Sequence, residues 1–371
     1  MSFDEKLLYQ IALTKINGVG DITARQLLEV IGDEKEIFMS SKKNLMSVRG
    51  IAHCLVEEIL NPEVLRKAEK ELDFVLKNNI QTYFISDDNY PFRLKECLDA
   101  PALLYYKGNA DLNNTKIISI VGTRKSTNYG NSFCEKFVED ISKNLPQALI
   151  VSGLAYGIDI QAHKAALKNN LPTVGVLAHG LDRIYPSSHR NTAIEMVKNG
   201  GLLTEFPSET EPERYNFVRR NRIVAGMADA VIVIESDKKG GSLITAEIAN
   251  SYNKDVFATP GRTTDKYSAG CNQLIEDNKA IILQSAESFL RFMNWDTSKK
   301  KQAQAKQRQL FLDLSENEQA VYDILFQSES VHINLLSSQV EISVSQLFPT
   351  LLEMEMKGII EPQPGGLYKL V

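Results

Sequence analysis

A mainly parallel β-sheet covered by helices on both faces, with a helical unit before it and another after it, is the fold the sequence predicts: an α/β class. Three observations predict it. From residue 81 onward, short apolar runs rich in Val and Ile alternate with segments of helical length, the pattern of strand, crossover helix and parallel strand. Some of those runs, such as Asp229-Ala-Val-Ile-Val-Ile-Glu235, are apolar at consecutive positions, as a strand buried on both faces must be. The segments before residue 75 and after residue 310 show helical patterns in place of this alternation.

Residues 1–75 read as a domain of short helices. Ile16-Asn-Gly-Val-Gly20 precedes Ala24-Arg-Gln-Leu-Leu28, and Val48-Arg-Gly-Ile51 precedes Leu55-Val-Glu-Glu-Ile59. The two units are similar to a helix-hairpin-helix pair of SAM-like type, whose glycine turn can offer backbone N–H groups to a DNA phosphate. The first sixty residues hold nine acids against seven Lys and Arg, however. Charge dominates nonspecific phosphate affinity, so a structural role for these turns outweighs DNA binding.

The core spans residues 80–294, with strands expected at 81–85, 103–106, 116–121, 148–152, 172–177, 202–204, 229–235, 255–258 and 280–283. Ligands of such sheets bind past the carboxyl ends of the strands. Residues 295–309, basic and Gln-rich, read as a solvated linker. Residues 310–371 give three helices at 316–326, 332–340 and 343–357, then a hairpin through Pro362-Gln-Pro-Gly-Gly, the outline of a winged helix. From Asp313 onward nine acids stand against Lys357 and Lys369. Reading a major groove needs Lys or Arg on the third helix, which has only Lys357, so a protein-contact role is favoured there.

At 371 residues with 43% apolar content the chain can fill two or three cores. A net charge of -5 gives no global nucleic-acid signature, so a polyanion site must come from clustering. The N-terminus MSFDEKLLYQIAL lacks a basic start and a long apolar core, which argues against a signal peptide or a membrane span and for a soluble cytoplasmic protein. The four cysteines, Cys54, Cys97, Cys134 and Cys271, form no C-x-x-C pair and suit a reducing compartment without a zinc site.

The stretch from Tyr215 to Glu247 organises the core. Asn216 reads as an N-cap, after which Arg219, Arg220 and Arg222 fall in the opening turns of a helix, where the macrodipole disfavours cations unless an anion binds. The following strand ends at Glu235, and Lys238-Lys239-Gly240-Gly241-Ser242 opens another helix. Upstream, Gly122-Thr123-Arg124-Lys125 follows one strand, with Ser126 or Thr127 able to cap. This loop lacks the G-x-G-x-x-G fingerprint and the P-loop lysine, which disfavours nicotinamide cofactors and ATP. Ser152-Gly153 opens the turn after the next strand, with Asp159 reading as a cap more than as a base. Arg183 and Arg190 flank Pro186-Ser-Ser-His189 at a further helix start. A glycine turn with a Ser/Thr cap is also ordinary punctuation between strand and helix. Several such turns on one sheet edge suit a sugar-phosphate backbone, single-stranded, better than a mononucleotide. Tyr129, Tyr156 and Phe217 are candidates for stacking on bases.

The words YPFRL, APALLYYKG, VGTRKSTNYG, VSGLAYGIDIQAHKAAL, GLDRIYPSSH, GGLLTEFP, NFVRRNRIVAG, ADAVIVIE, KGGSLITAEIA and GCNQLIED run in this order between about Asn89 and Ile282. In them the chain resembles the DNA-processing protein A family (DprA, also called Smf). The resemblance implies an extended Rossmann-like core that binds single-stranded DNA, protects incoming DNA, forms a homodimer and loads the RecA recombinase in natural transformation, with neither cofactor nor catalysis. It implies that Arg124 is the key binding arginine, with further contacts around Arg220, Asn221 and Arg222 and the turn of Lys239, Gly240, Gly241 and Ser242. The rival reading is a nucleotide phosphoribohydrolase of the lysine-decarboxylase-like type, to whose P-G-G-x-G-T-x-x-E word the segment ending at Glu247 is similar. Lys239 and Leu243 replace its first Pro and third Gly.

Overall fold

The computed structural model describes residues 3–295, 314–328 and 330–371. The basic linker expected at 295–309 falls, beyond Trp295, outside the described residues. Six helices come first: α1 (Phe3–Lys15), α2 (Asp21–Ile31), α3 (Glu34–Met39), α4 (Lys42–Ser47), α5 (His53–Ile59) and α6 (Pro62–Lys77). Gly18 and Gly50 hold the two hairpin turns at φ of 84° and 87°, a region that costs a residue with a Cβ.

The core follows as β1 (Gln81–Phe84), α7 (Phe92–Lys95), β2 (Leu103–Gly108), β3 (Ile117–Val121), α8 (Asn128–Asn144), β4 (Leu149–Ser152), α9 (Ile158–Lys168), β5 (Thr173–Val176), α10 (Arg190–Lys198), β6 (Gly200–Thr204), α11 (Arg214–Gly226), β7 (Ala230–Val233), α12 (Gly241–Ser251), β8 (Asp255–Ala258), α13 (Ala269–Glu276), β9 (Ile281–Ile282) and α14 (Ala286–Phe292). The strands form one sheet in the order β1-β2-β6-β5-β4-β3-β7-β8-β9. All pairings from β6 to β9 are parallel, whereas β1 with β2 and β2 with β6 are antiparallel. The chain winds outward from β3 in one direction through β4, β5 and β6, then in the other through β7, β8 and β9. The crevice past the ends of β3 and β7 is therefore the topological switch point, where sheets of this kind bind ligands.

Period-two alternation divides the strands between two cores. Ile117, Val121, Val151, Val231 and Val233 pack with Ile223 and Val224 of α11 and with the apolar faces of α1 and α2. Ile118, Ile120, Ile150, Ala230 and Ile232 face Phe137 and Ile141 of α8 and Phe289 of α14. At the amino ends of the strands, buried Arg93 pairs with Asp229 at 2.6 Å and donates to the carbonyls of Asn114 and Thr115. Asp229 in turn accepts from the Ile117 amide, which fastens β3 beside β7.

The last unit comprises α15 (Glu316–Phe326), β10 (Val331–His332), α16 (Ile333–Val340), α17 (Val344–Met356), β11 (Ile360–Gln363) and β12 (Leu367–Leu370), with sheet order β10-β12-β11. Val321, Leu325, Leu336, Leu347, Leu351 and Met354 form its own core. Its hairpin is seated against the amino-end edge of the large sheet. The His332 ring lies 4.6 Å from that of Phe92, and Gly365 abuts Asp229. No described helix is long and apolar enough to cross a membrane.

Candidate nucleic-acid interface

Every turn that follows a parallel strand lies on the carboxyl edge of the sheet, and hydrogen bonds join neighbouring turns. The Thr123 amide donates to the Glu235 carbonyl at 2.7 Å, and the Ile158 amide donates to the Thr123 carbonyl at 3.2 Å. His189 shares a hydrogen at 2.9 Å with the Leu154 carbonyl, and the Ser236 amide donates to Tyr267 at 2.7 Å. The turns after β3, β4, β5, β7 and β8 thus form one continuous rim. Gly157 makes the tightest of these junctions possible. It sits at φ 78°, and a Cβ there would strike the Thr123 carbonyl oxygen and the backbone of Arg124.

Arg124 stands on this rim, exposed, beside the switch point. Its guanidinium lies 5.0 Å from the centre of the Phe217 ring, and Tyr185 approaches Phe217 at 5.9 Å. Tyr156, 48% exposed, leans edge-on against the His189 ring at 5.0 Å, and Tyr129 is likewise half-exposed with its hydroxyl donating to the Pro260 carbonyl. Lys125, Arg190, Arg214, Lys238 and Lys239 are exposed around the same edge and have no carboxylate partner among the described residues. Unneutralised cations beside half-exposed aromatic rings are the chemistry that grips a sugar-phosphate backbone and stacks its bases.

Several sequence expectations need correction. The α8 N-terminus at the 122–127 turn is already filled. Glu235 accepts from the Thr127 amide at 2.8 Å and from its hydroxyl at 2.5 Å, and its carboxylate lies where a Cβ on Gly130 would be. An acid of the protein occupies the seat a phosphate would take. Gly122 is packed under Ile158, and Thr123 binds the Lys125 amide through its hydroxyl at 3.2 Å. Arg124 and Lys125 are the cations of this turn, and both are exposed.

The arginines of α11 are not at a helix start. The helix begins at Arg214 with Glu213 in the N-cap position, and Asn216, expected to cap, donates instead to the Glu211 carbonyl. Arg220 is buried, donating to the Gly153 and Val176 carbonyls beside Asp159. Burial lowers its pKa to about 10, with Asp159 opposing the shift. Arg222 is buried too, on Asp21 at 3.0 Å, Glu205 at 2.5 Å and the Asp99 carbonyl. Arg219 shares the same two carboxylates at 3.1 and 2.6 Å, and its guanidinium lies 5.5 Å from the Phe206 ring. Arg219 and Arg222 clamp the first residue of α2 to the core, and Arg220 ties the turn after β4 to the end of β5. Asn221, half-buried, accepts from Arg220 at 3.3 Å.

The serines are also internal. Ser152 donates to the Ile120 carbonyl at 2.5 Å and Ser242 to Ser236 at 2.9 Å, both buried. Gly153 lies under Arg220, its amide donating to Asp159 at 3.2 Å. Arg183 is spent on Asp182 at 3.0 Å and Glu211 at 2.6 Å. By contrast, the Lys239-Gly240-Gly241 turn matches its expectation in position. Lys239 and Gly241 are exposed, Gly240 packs on Ser236, and no side chain caps α12. Asp159 is buried against Arg220, and burial raises its pKa. His163 is buried with Nδ1 2.7 Å from the Thr173 hydroxyl, and burial lowers its pKa to about 3. Glu247 is exposed on α12. Sequence reasoning missed Tyr185, Asp21 and the capping role of Glu235. The last had a signal: an acid ending a buried strand needs donors, and the nearest turn supplies them.

Comparison with known proteins decides the ancestry of this edge. Residues 81–294 match the family model described as DNA recombination-mediator protein A, and residues 303–366 match the DprA winged helix domain. This chain belongs to the DNA recombination-mediator protein A family. The DNA processing protein DprA of Streptococcus pneumoniae is 34% identical over 288 residues, covering 76% of this chain and 98% of the relative. Protein Smf of Synechocystis is 29% identical over 391 residues, covering 97% and 98%. The crystal structure of S. pneumoniae DprA superposes with a TM-score of 0.62 at 32% identity, over 76% of this chain and 97% of that one. A DprA structure from Helicobacter pylori, described for its single-stranded DNA binding mode, superposes with a TM-score of 0.52 at 31% identity, over 57% of this chain and 94% of that one.

Proposed function

We propose that this DprA-family chain binds single-stranded DNA along the carboxyl edge of its sheet, protects incoming DNA, and hands the strand to RecA recombinase during natural transformation in the cytoplasm. It acts as a homodimer and performs no bond chemistry of its own. The observation that carries the reading is the exposed Arg124 guanidinium over Phe217, with Tyr185 and Tyr156 alongside and unpaired Lys and Arg on both flanks. The half-exposed rings of the rim suit unstacked bases. The H. pylori relative, described as binding single-stranded DNA, supports the same assignment. We assign residues 1–75, 80–294 and 310–371 as domains joined through the basic linker, and direct contacts to Arg124, Lys125, Arg190, Lys239, Gly240 and Gly241.

Titration of labelled oligo-dT at several salt concentrations tests the proposal. With about four phosphates neutralised, log K falls against log salt with a slope of roughly -3, so fourfold more salt weakens binding about fiftyfold. A flat dependence refutes it. Adding RecA with single-strand-binding protein and following filament growth tests the loading step separately.

A further inference from the structure

The winged-helix unit turns its hairpin inward and its third helix outward, which inverts what a duplex-reading module needs. The hairpin meets the core through Gly365 on Asp229, and the neighbouring strand β10 does so through His332 on Phe92. The outward surface of α17 exposes Phe348 by 55%, Leu352 by 51% and Met356 by 82%. These positions are four apart and fall on one stripe of the helix, while Leu347, Leu351 and Met354 take the buried side. At about 100° per residue, Glu355 borders the stripe on one side and Glu353 on the other. Neither acid has an ion-pair partner among the described residues. Both described cations of the unit are spent, Lys357 on Glu318 at 2.5 Å and Lys369 on Glu361 at 2.9 Å.

We propose that this face of α17 is a docking site for a protein partner presenting an amphipathic helix with an apolar ridge and basic flanks. An apolar stripe edged with unpaired carboxylates is complementary to that surface and repels a phosphate backbone. A second copy of the same face is disfavoured, since it would set acid against acid. Three exposed side chains in helical register provide the anchors such helix recognition uses, and the carboxylates select the sign of the partner's flanks.

The test uses the full chain and two designed helical peptides of about 18 residues that share a leucine ridge, one with Lys and Arg flanks and one with Glu flanks. Fluorescence anisotropy should show binding of the cationic peptide only. Phe348→Asp and Leu352→Asp should each weaken it about tenfold or more. These positions are exposed, and circular dichroism checks that the variants keep the fold. The double charge reversal Glu353→Lys with Glu355→Lys should exchange the preference to the anionic peptide. Arg124→Ala should leave peptide binding intact, and the α17 variants should leave oligo-dT binding intact. Equal binding of both peptides, binding of neither, or insensitivity to the α17 variants overturns the proposal. So does loss of duplex DNA binding in Phe348→Asp, which would make the face a DNA reader. Sedimentation of Phe348→Asp as a smaller species than the wild type would assign the face to self-association.

Discussion

Arg124 separates charge from stacking, because its guanidinium is exposed and also lies 5.0 Å from the Phe217 ring centre. Arg124→Ala removes one phosphate contact. A charge-assisted hydrogen bond contributes about 1.5–3 kcal/mol, so affinity for oligo-dT at 0.15 M salt falls by roughly ten- to a hundredfold. The salt slope flattens by about 0.7, the share of one phosphate on a single strand. Arg124→Lys keeps the charge, so its slope stays at the wild-type value. It gives up the planar contact with Phe217, about 0.5–1 kcal/mol at an exposed site, which predicts a two- to fivefold loss. Phe217→Leu costs a similar amount in the wild type and adds little to Arg124→Lys, since the two changes remove the same contact. Anisotropy titrations of the wild type, the three single variants and the Arg124→Lys/Phe217→Leu double variant at three salt concentrations measure all of this. Unchanged affinity and slope in Arg124→Ala, or a lysine variant as flat in slope as the alanine variant, refutes the assignment of Arg124 to phosphate.

Arg222→Ala removes the buried one of the two cations on Asp21 and Glu205 and leaves them to Arg219; breaking a buried pair outright costs about 3–5 kcal/mol, so the retained Arg219 pair puts the expected loss below that. Denaturant unfolding should detect that loss, while the salt slope of the surviving folded protein stays at the wild-type value. Gly157→Ala drives a Cβ into the Thr123 carbonyl at a φ of 78°, so it should impair DNA binding through the displaced Arg124 turn, by more than Tyr156→Ala does. Burial first, then Arg93 and Lys254, lowers the His332 pKa from 6.5 to about 3. Below pH 6.5 the unfolded chain takes a proton that the folded chain refuses, so this part of the stability is complete above pH 6.5 and is lost as pH falls toward 3. His332→Asn should flatten the fall in stability between pH 7 and 5 relative to wild type in a denaturant series. Deleting residues 310–371 should leave oligo-dT affinity and its salt slope nearly unchanged in the same anisotropy assay, because the described contacts of that segment with the core, His332 on Phe92 and Gly365 on Asp229, lie at the amino edge of the sheet.

The strands were legible because a parallel strand buried on both faces has to be apolar at consecutive positions, and Leu149 to Val151 or Ala230 to Val233 can be little else. Their turns were legible from Gly and Ser after each run, and strand order then carried those turns to one edge. Arg124 was readable for the same reason: a cation directly after a strand at the switch point has nowhere to go but out. Arg220 and Arg222 were misread because local sequence places them near a helix start but does not show what covers that helix. Their partners lie far away in the chain, Asp21 for Arg222 and the Gly153 carbonyl for Arg220. Cationic side chains can be buried when each donor finds an acceptor, and no short window of sequence contains those acceptors. Glu235 was missed by the same logic in reverse, since its role depends on Thr127, more than a hundred positions away, lying across the sheet.

The two ends of the large sheet face different chemistry. At the carboxyl edge the turns leave Arg124, Lys125 and Lys239 unpaired, so that edge attracts phosphate. At the amino edge the Arg93–Asp229 pair is closed, and the seat beside it is taken by the wing, which keeps acidic α17 away from the strand it would repel. A module of like charge to DNA can belong to a DNA-binding chain only if it is held where the field of the bound strand is screened. The Debye length at physiological salt is about 8 Å, shorter than the strands that separate the two edges. The proposed partner docking on α17 and the proposed strand binding at the rim would then contribute independently to the free energy of an assembly, as sites without shared residues do. The function proposed above, holding a strand while presenting it to another protein, needs that independence, and the length of the parallel strands would provide it.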